Sequence, residues 1–249
     1  MRSLCSRANW GCWVLAARFM ISLAVLAFVL TLALTLAVRR AVRRRAARYP
    51  DNAPQRFHLG EVPRLGGVGL LAGWLLALLA LPLLQWADLA GNIALAPGEV
   101  WRWVLVLLPA VTGGVLEDVT QRMGVLRRLM LTLVSAALAW ALLEVTVPSL
   151  GFAWLDGSWA AMPVLGVALA ALAVMGLPHA FNIIDGYNGL AGSMALVVCL
   201  ALAHVALQVG DRELAAVAVV LAAATGGFLV WNYPRGLIFA PVLHSRTSP

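Results

Sequence analysis

An all-α, polytopic membrane bundle of about seven helices is the fold class this sequence predicts, and three observations predict it. The chain's 249 residues are 62% hydrophobic and only 12% charged, with a mean hydropathy of +0.90. A soluble domain is roughly half apolar and about a quarter charged. Apolar runs recur at close to the length of helix that crosses a bilayer, about 20 residues each. The charges cluster between these runs. Ala and Leu dominate the runs, which suits helix over strand.

In chain order the runs are Met20–Val38, Leu65–Trp86, Val100–Leu116, Leu129–Val147, Trp159–Leu177, Leu190–Val209 and Leu214–Trp231. The first ends in Arg39, Arg40, Arg43, Arg44 and Arg45. A signal peptide would end at a small-residue cleavage site, so this run reads as a membrane helix. Met20 is an alternative start, which would make residues 1–19 a non-native extension. No long linker sets a soluble domain apart, so residues 1–249 read as a single membrane domain.

The formal net charge is +7, and every cation is arginine. In a membrane protein such an excess belongs to cytoplasmic loops and anionic headgroups, and no nucleic-acid partner is expected. Cys5, Cys12 and Cys199 are too scattered for a disulfide framework or a zinc site. The loop after the first run holds eight arginines, from Arg39 to Arg64, and the loop after the third holds Arg122, Arg127 and Arg128. Besides the N-terminal segment with Arg2, Arg7 and Arg18, the opposite side carries only Arg102 and Arg212. By the positive-inside rule the N-terminus lies outside and the arginine-rich loops are cytoplasmic.

Four stretches are too polar and too patterned for plain connections: 51–67 (DNAPQRFHLGEVPRLGG), 117–128 (EDVTQRMGVLRR), 179–192 (HAFNIIDGYNGLAG) and 232–239 (NYPRGLIF). All four fall on the predicted cytoplasmic side. Within the third, His179, Asn182, Asp185 and Asn188 recur every third residue, a spacing that forms one stripe on a helix. Carboxylates and amides suit a hard cation such as Mg²⁺, and arginines suit phosphate oxygens. The combination points to metal-assisted handling of a phosphate or diphosphate. Taken singly, Glu117–Asp118 also reads as a helix anchor, Asp185–Gly186 as a turn, and Asn182 and Asn188 as caps.

These four stretches, in this order, resemble the polyprenyl-phosphate N-acetylhexosamine-1-phosphate transferases. That family (glycosyltransferase family 4) includes the undecaprenyl-phosphate GlcNAc-1-phosphate transferases and the phospho-MurNAc-pentapeptide translocase. The likeness runs from about Asp51 to Phe239. The first stretch, with His58, Pro63, Arg64, Gly66 and Gly67, is similar to the family's first cytoplasmic motif. Glu117–Asp118 matches its acidic pair, 181–192 its N-x-x-D-G motif, and 227–239 the lead-in to its last metal motif.

The resemblance implies transfer of N-acetylhexosamine-1-phosphate from a UDP-sugar to a polyprenyl phosphate, with release of UMP. That step initiates synthesis of a cell-surface glycan at the inner membrane. It also implies Mg²⁺, with Mn²⁺ as a substitute, and admits a homodimer. Carried over by motif, Glu117, Asp118 and Asp185 are the catalytic candidates, and His58, Arg64, Asn182, Asn188 and Asn232 the substrate-binding ones. Asp118, Asn182 and Asp185 are the metal candidates.

Three departures qualify this. Glu117 replaces the first aspartate of the common pair, and Asn188 the second acid of a D-G-x-D-G variant; together they favour a UDP-GlcNAc-like sugar. The Gly-Asp metal ligand that follows the lead-in is absent from 240–249 (APVLHSRTSP). With about seven spans against the family's ten or eleven, the chain is expected to be C-terminally truncated, with 240–249 an aberrant tail. An inactive fragment, and a membrane transporter or lipid-binding protein without chemistry, are the alternatives carried forward.

Overall fold

The structure is a computed structural model. It describes residues 10–46, 65–81, 83, 97–120, 123–234 and 236–238, with the backbone alone for 10–19, 42–46, 97–99 and 118–119. Every regular element among the described residues is a helix. They are α1 (Trp10–Ala46), α2 (Gly66–Leu79), α3 (Pro97–Thr120), α4 (Val125–Leu143), α5 (Ala153–Ala160), α6 (Pro163–Ile184), α7 (Leu190–Val209) and α8 (Arg212–Asn232). Six of them are long and apolar enough to cross a membrane, α2 and α5 being shorter. The protein is a polytopic helical membrane protein. The remainder of the expected second span, beyond Leu83, lies outside the described residues.

Boundaries moved where turn chemistry overrode apolar periodicity. The fourth run begins four residues earlier than expected, because Gly124 supplies an extended N-cap and Val125 already continues as helix. It stops at Leu143, where Glu144 turns left-handed with φ 53°. The fifth span starts at Pro163, since proline suits a helix's first turn, where its missing N–H costs nothing. It then runs through Pro178 to Ile184. The connection before it contains the short helix α5, tied down by Trp159 Nε1 donating to Val147 O at 2.8 Å.

The helices gather into two compact units: α1, α2, α7 and α8 in one, and α3, α4, α5 and α6 in the other. In the first unit α8 is the central helix, with 11 of its 21 residues buried. Small residues let backbones approach there. A side-chain carbon on Gly69 would meet the Thr35 backbone at 2.8 Å, and one on Gly73 would strike Thr31. On α8, a side-chain carbon on Gly227 would lie 2.5 Å from Phe28 O, so α1 packs closely against both α2 and α8. Trp231 Nε1 donates to Leu32 O at 3.0 Å, and the Arg39 guanidinium stands 5.8 Å from the Trp231 ring, a cation–π distance.

The second unit is built on α4. Pro109 lies within α3 and disturbs its ladder, and the neighbouring Ala110 N donates to Ser135 Oγ on α4 at 3.1 Å. One turn on, Gly113 faces Leu131. These pairs make α3 and α4 antiparallel. On α4's other side, Thr132 Oγ1 lies 3.5 Å from His179 Nε2 on α6, and Val147 N donates to Gly166 O at 3.2 Å. The register makes α6 antiparallel to α4 as well. The layer that holds Glu117 on α3 therefore holds Arg128 on α4 and the end of α6.

Candidate active site

At the second unit's polar end, Glu117 is only 8% exposed. Its Oε2 accepts a hydrogen bond from Met123 N at 2.9 Å, so the carboxylate holds the turn between α3 and α4. The adjacent Asp118 sits on the last turn of α3; its side chain lies outside the described residues. Arg127 is exposed, whereas Arg128 is buried.

His179 and Asn182 sit one turn apart on α6, as the three-residue spacing predicts. The stripe does not continue. Asp185 is the C-cap of α6, its N–H bonded to Phe181 O at 3.2 Å, and the chain then turns through 186–189. Gly189, with φ 81°, carries the left-handed conformation that starts α7, and glycine takes it at little cost. Asp185 therefore caps a helix instead of lying on its flank. Burial pushes its carboxyl above the ordinary value, and no described residue pairs with it.

In the first unit, Asn188 and Asn232 form a backbone clasp. Asn232 is 4% exposed. Its Oδ1 accepts from Gly189 N at 2.6 Å, and its Nδ2 donates to Ile238 O at 2.9 Å. Asn188 Nδ2 donates to Pro234 O at 3.2 Å. A side-chain carbon on Gly236 would meet the Asn188 amide at 2.8 Å. The amide of Asn232 is thus committed to fixing the start of α7 against the segment after α8. His58 and Arg64 lie outside the described residues.

Sequence reasoning singled out neither Arg128 as buried nor Thr132 as the neighbour of His179. The signal was present in the spacing: Arg128, Thr132, Ser135, Ala136 and Ala139 are the buried residues of α4, recurring every three or four positions. Among the described residues no three His, Cys, Asp or Glu side chains converge as a ready metal site. Mg²⁺ does not require that many, since one or two carboxylates suffice when waters and phosphate oxygens complete the shell. A partly desolvated carboxylate without a protein partner, as Asp185 has, fits such a ligand.

What these features define is a multi-pass membrane protein with acids, amides and arginines at its helix ends. Comparison with known proteins narrows the class. Residues 100–240 match glycosyl transferase family 4, and the chain belongs to that family. It is 31% identical over 196 residues to the phospho-N-acetylmuramoyl-pentapeptide-transferase of Moorella thermoacetica, covering 74% of this chain and 58% of that protein. It is 28% identical over 178 residues to a putative UDP-N-acetylglucosamine–dolichyl-phosphate N-acetylglucosaminephosphotransferase of Sulfolobus acidocaldarius, covering 70% and 51%. A probable undecaprenyl-phosphate N-acetylglucosaminyl 1-phosphate transferase of Bacillus subtilis is 25% identical over 199 residues, covering 78% and 50%. The chain spans about half the length of the curated relatives it matches.

Proposed function

We propose that this protein serves the transfer of N-acetylhexosamine-1-phosphate from a UDP-sugar to a polyprenyl phosphate, initiating a cell-surface glycan. A phosphate oxygen of the lipid forms a bond to the β-phosphorus of the UDP-sugar. The bond from that phosphorus to the oxygen bridging the two phosphates breaks, and UMP leaves with the bridging oxygen and the electron pair. The observation that carries this reading is the second unit's polar layer, with Glu117 and Asp118 at the end of α3 and Asp185 capping α6, within the matched span 100–240.

Asp118, Asn182 and Asp185 are the candidates to hold Mg²⁺. Bound there, the ion would offset diphosphate charge as the leaving group departs. Asp118 is suited to orient or deprotonate the lipid phosphate, and Glu117 holds the turn that follows. In the first unit, Asn188 and Asn232 fix the backbone at the start of α7, and they are candidates for substrate binding by motif. His58 and Arg64 are the candidates for the phosphate-facing loop. We place the site on the cytoplasmic face of the inner membrane, on the strength of the arginine-rich loops.

The test is UMP release by the full chain, purified in lipid, from UDP-GlcNAc with undecaprenyl phosphate and Mg²⁺. The expected result is lipid-dependent release that Asp185→Asn lowers by roughly 100-fold or more, the scale of losing one major electrostatic contributor. Release no higher than in a protein-free control would overturn the reading for this chain.

A further inference from the structure

The start of α4 has an unusual charge order. A helix N-terminus presents unbonded N–H groups and partial positive charge, so acids and capping side chains usually gather there. Gly124, the N-cap of α4, contributes no side-chain cap, and the first turn holds no acid. Two cations stand there instead, Arg127 and Arg128, the third and fourth residues of the helix. Arg127 is exposed to solvent or headgroups, which relieves its position. Arg128 has no such relief.

Arg128 is 6% exposed, and among the described residues its Nε and Nη1 are buried with no hydrogen-bond partner. A helical side chain leans back toward the N-terminus, so the guanidinium at this position is carried toward the first turn. Glu117 occupies the same layer on α3, yet among the described residues its carboxylate bonds Met123 N and not those two nitrogens. A buried cation without an anion is costly. A helix N-terminus that adds its own positive end is a site for an oxyanion.

We infer that the first turn of α4 and the buried guanidinium of Arg128 form an anion site that receives a phosphate group. Binding there does not depend on the transfer reaction; the choice of phosphate does rest on the reading above. Two sources share the chemistry, the diphosphate of a nucleotide and the phosphate headgroup of a polyprenyl lipid. Arg128 is then a binding residue beyond those the motifs supply.

The experiment uses the full chain in phosphatidylcholine nanodiscs. One arm titrates UDP. The other incorporates undecaprenyl phosphate in the disc, and both read ligand-dependent shifts in unfolding temperature. Wild-type protein is expected to respond to at least one source. Arg128→Met should weaken that response at least tenfold in ligand concentration while raising the ligand-free unfolding temperature, because it removes an uncompensated buried charge. An unchanged response in Arg128→Met overturns the site, as does a wild-type chain that responds to neither source. A lowered ligand-free unfolding temperature with the phosphate response intact also overturns it, and assigns Arg128 to Glu117. If Arg128→Met does not fold, Arg128→Lys carries the test: a weakened response in folded protein supports the site, and an unchanged one overturns it. Phosphate binding without UMP release would overturn the transfer reaction and leave the anion site standing.

Discussion

Asp185 is the acid whose surroundings say most. Burial raises its carboxyl above the ordinary value of 3.8, shifting the group toward its protonated form relative to the unfolded chain. By linkage its contribution to stability is fully present below 3.8 and is lost as pH rises through the folded-state value. Asp185→Asn, which stays neutral, should therefore gain on wild type as pH rises, and Mg²⁺ should recover stability in wild type alone. Thermal unfolding of the two proteins across about pH 4 to 7 checks this; parallel curves would mean that the carboxylate is not desolvated. The residue type, its motif and the alternative of a turn at Asp185–Gly186 were legible in the sequence. The choice between stripe and turn was not, because three-residue spacing looks the same whether a helix continues or stops. Gly189 decides, with a φ of 81° that only the fold reveals.

The end of α8 shows how an element can be right while a side chain's task is hidden. The α8 span was readable from its apolar run to within two residues at the start and one at the end. Asn232, expected from its motif to bind substrate, spends both its polar atoms on the backbones of Gly189 and Ile238. Those bonds link residues 43 apart and 6 apart in sequence, so no local pattern announces them. Asn232→Ala would strand a buried N–H and a buried C=O. The expected loss is about 2–4 kcal/mol, one to two kcal/mol per orphaned group, read as a lower unfolding temperature in detergent. A loss below about 0.5 kcal/mol would mean that water replaces the amide. α4 gives the converse case: its apolar face was readable, but Arg128 looked like one more arginine in a basic loop.

Across the whole molecule, composition alone settled the class, since 62% hydrophobic content leaves little room for a soluble fold. The grouping of α1 and α2 with α7 and α8, apart from α3 to α6, was invisible. It depends on contacts such as Trp231 with Leu32, which are 199 positions apart. Orientation is the molecular-scale expectation. In a variant lacking Cys5, Cys12 and Cys199, a cysteine at Gly124 should react with a membrane-impermeant thiol reagent only after the cytoplasmic face is opened. A cysteine at Ser158, exposed at the end of α5, should react in intact cells. The reverse pattern would invert the topology and move the proposed site to the outer face. Gly124 suits the purpose, since a side-chain carbon there meets nothing within 4 Å.

The bond from Ala110 N to Ser135 Oγ also bears on how the chain is made. Pro109 interrupts the ladder of α3, and hydrocarbon offers the disturbed backbone no partner. Leaving the translocon alone, α3 would carry that cost into lipid; leaving beside α4, it carries its acceptor with it. The two helices are joined by a short connection, Gln121 to Gly124, and run antiparallel. Insertion of α3 and α4 as one hairpin would spare the chain that cost.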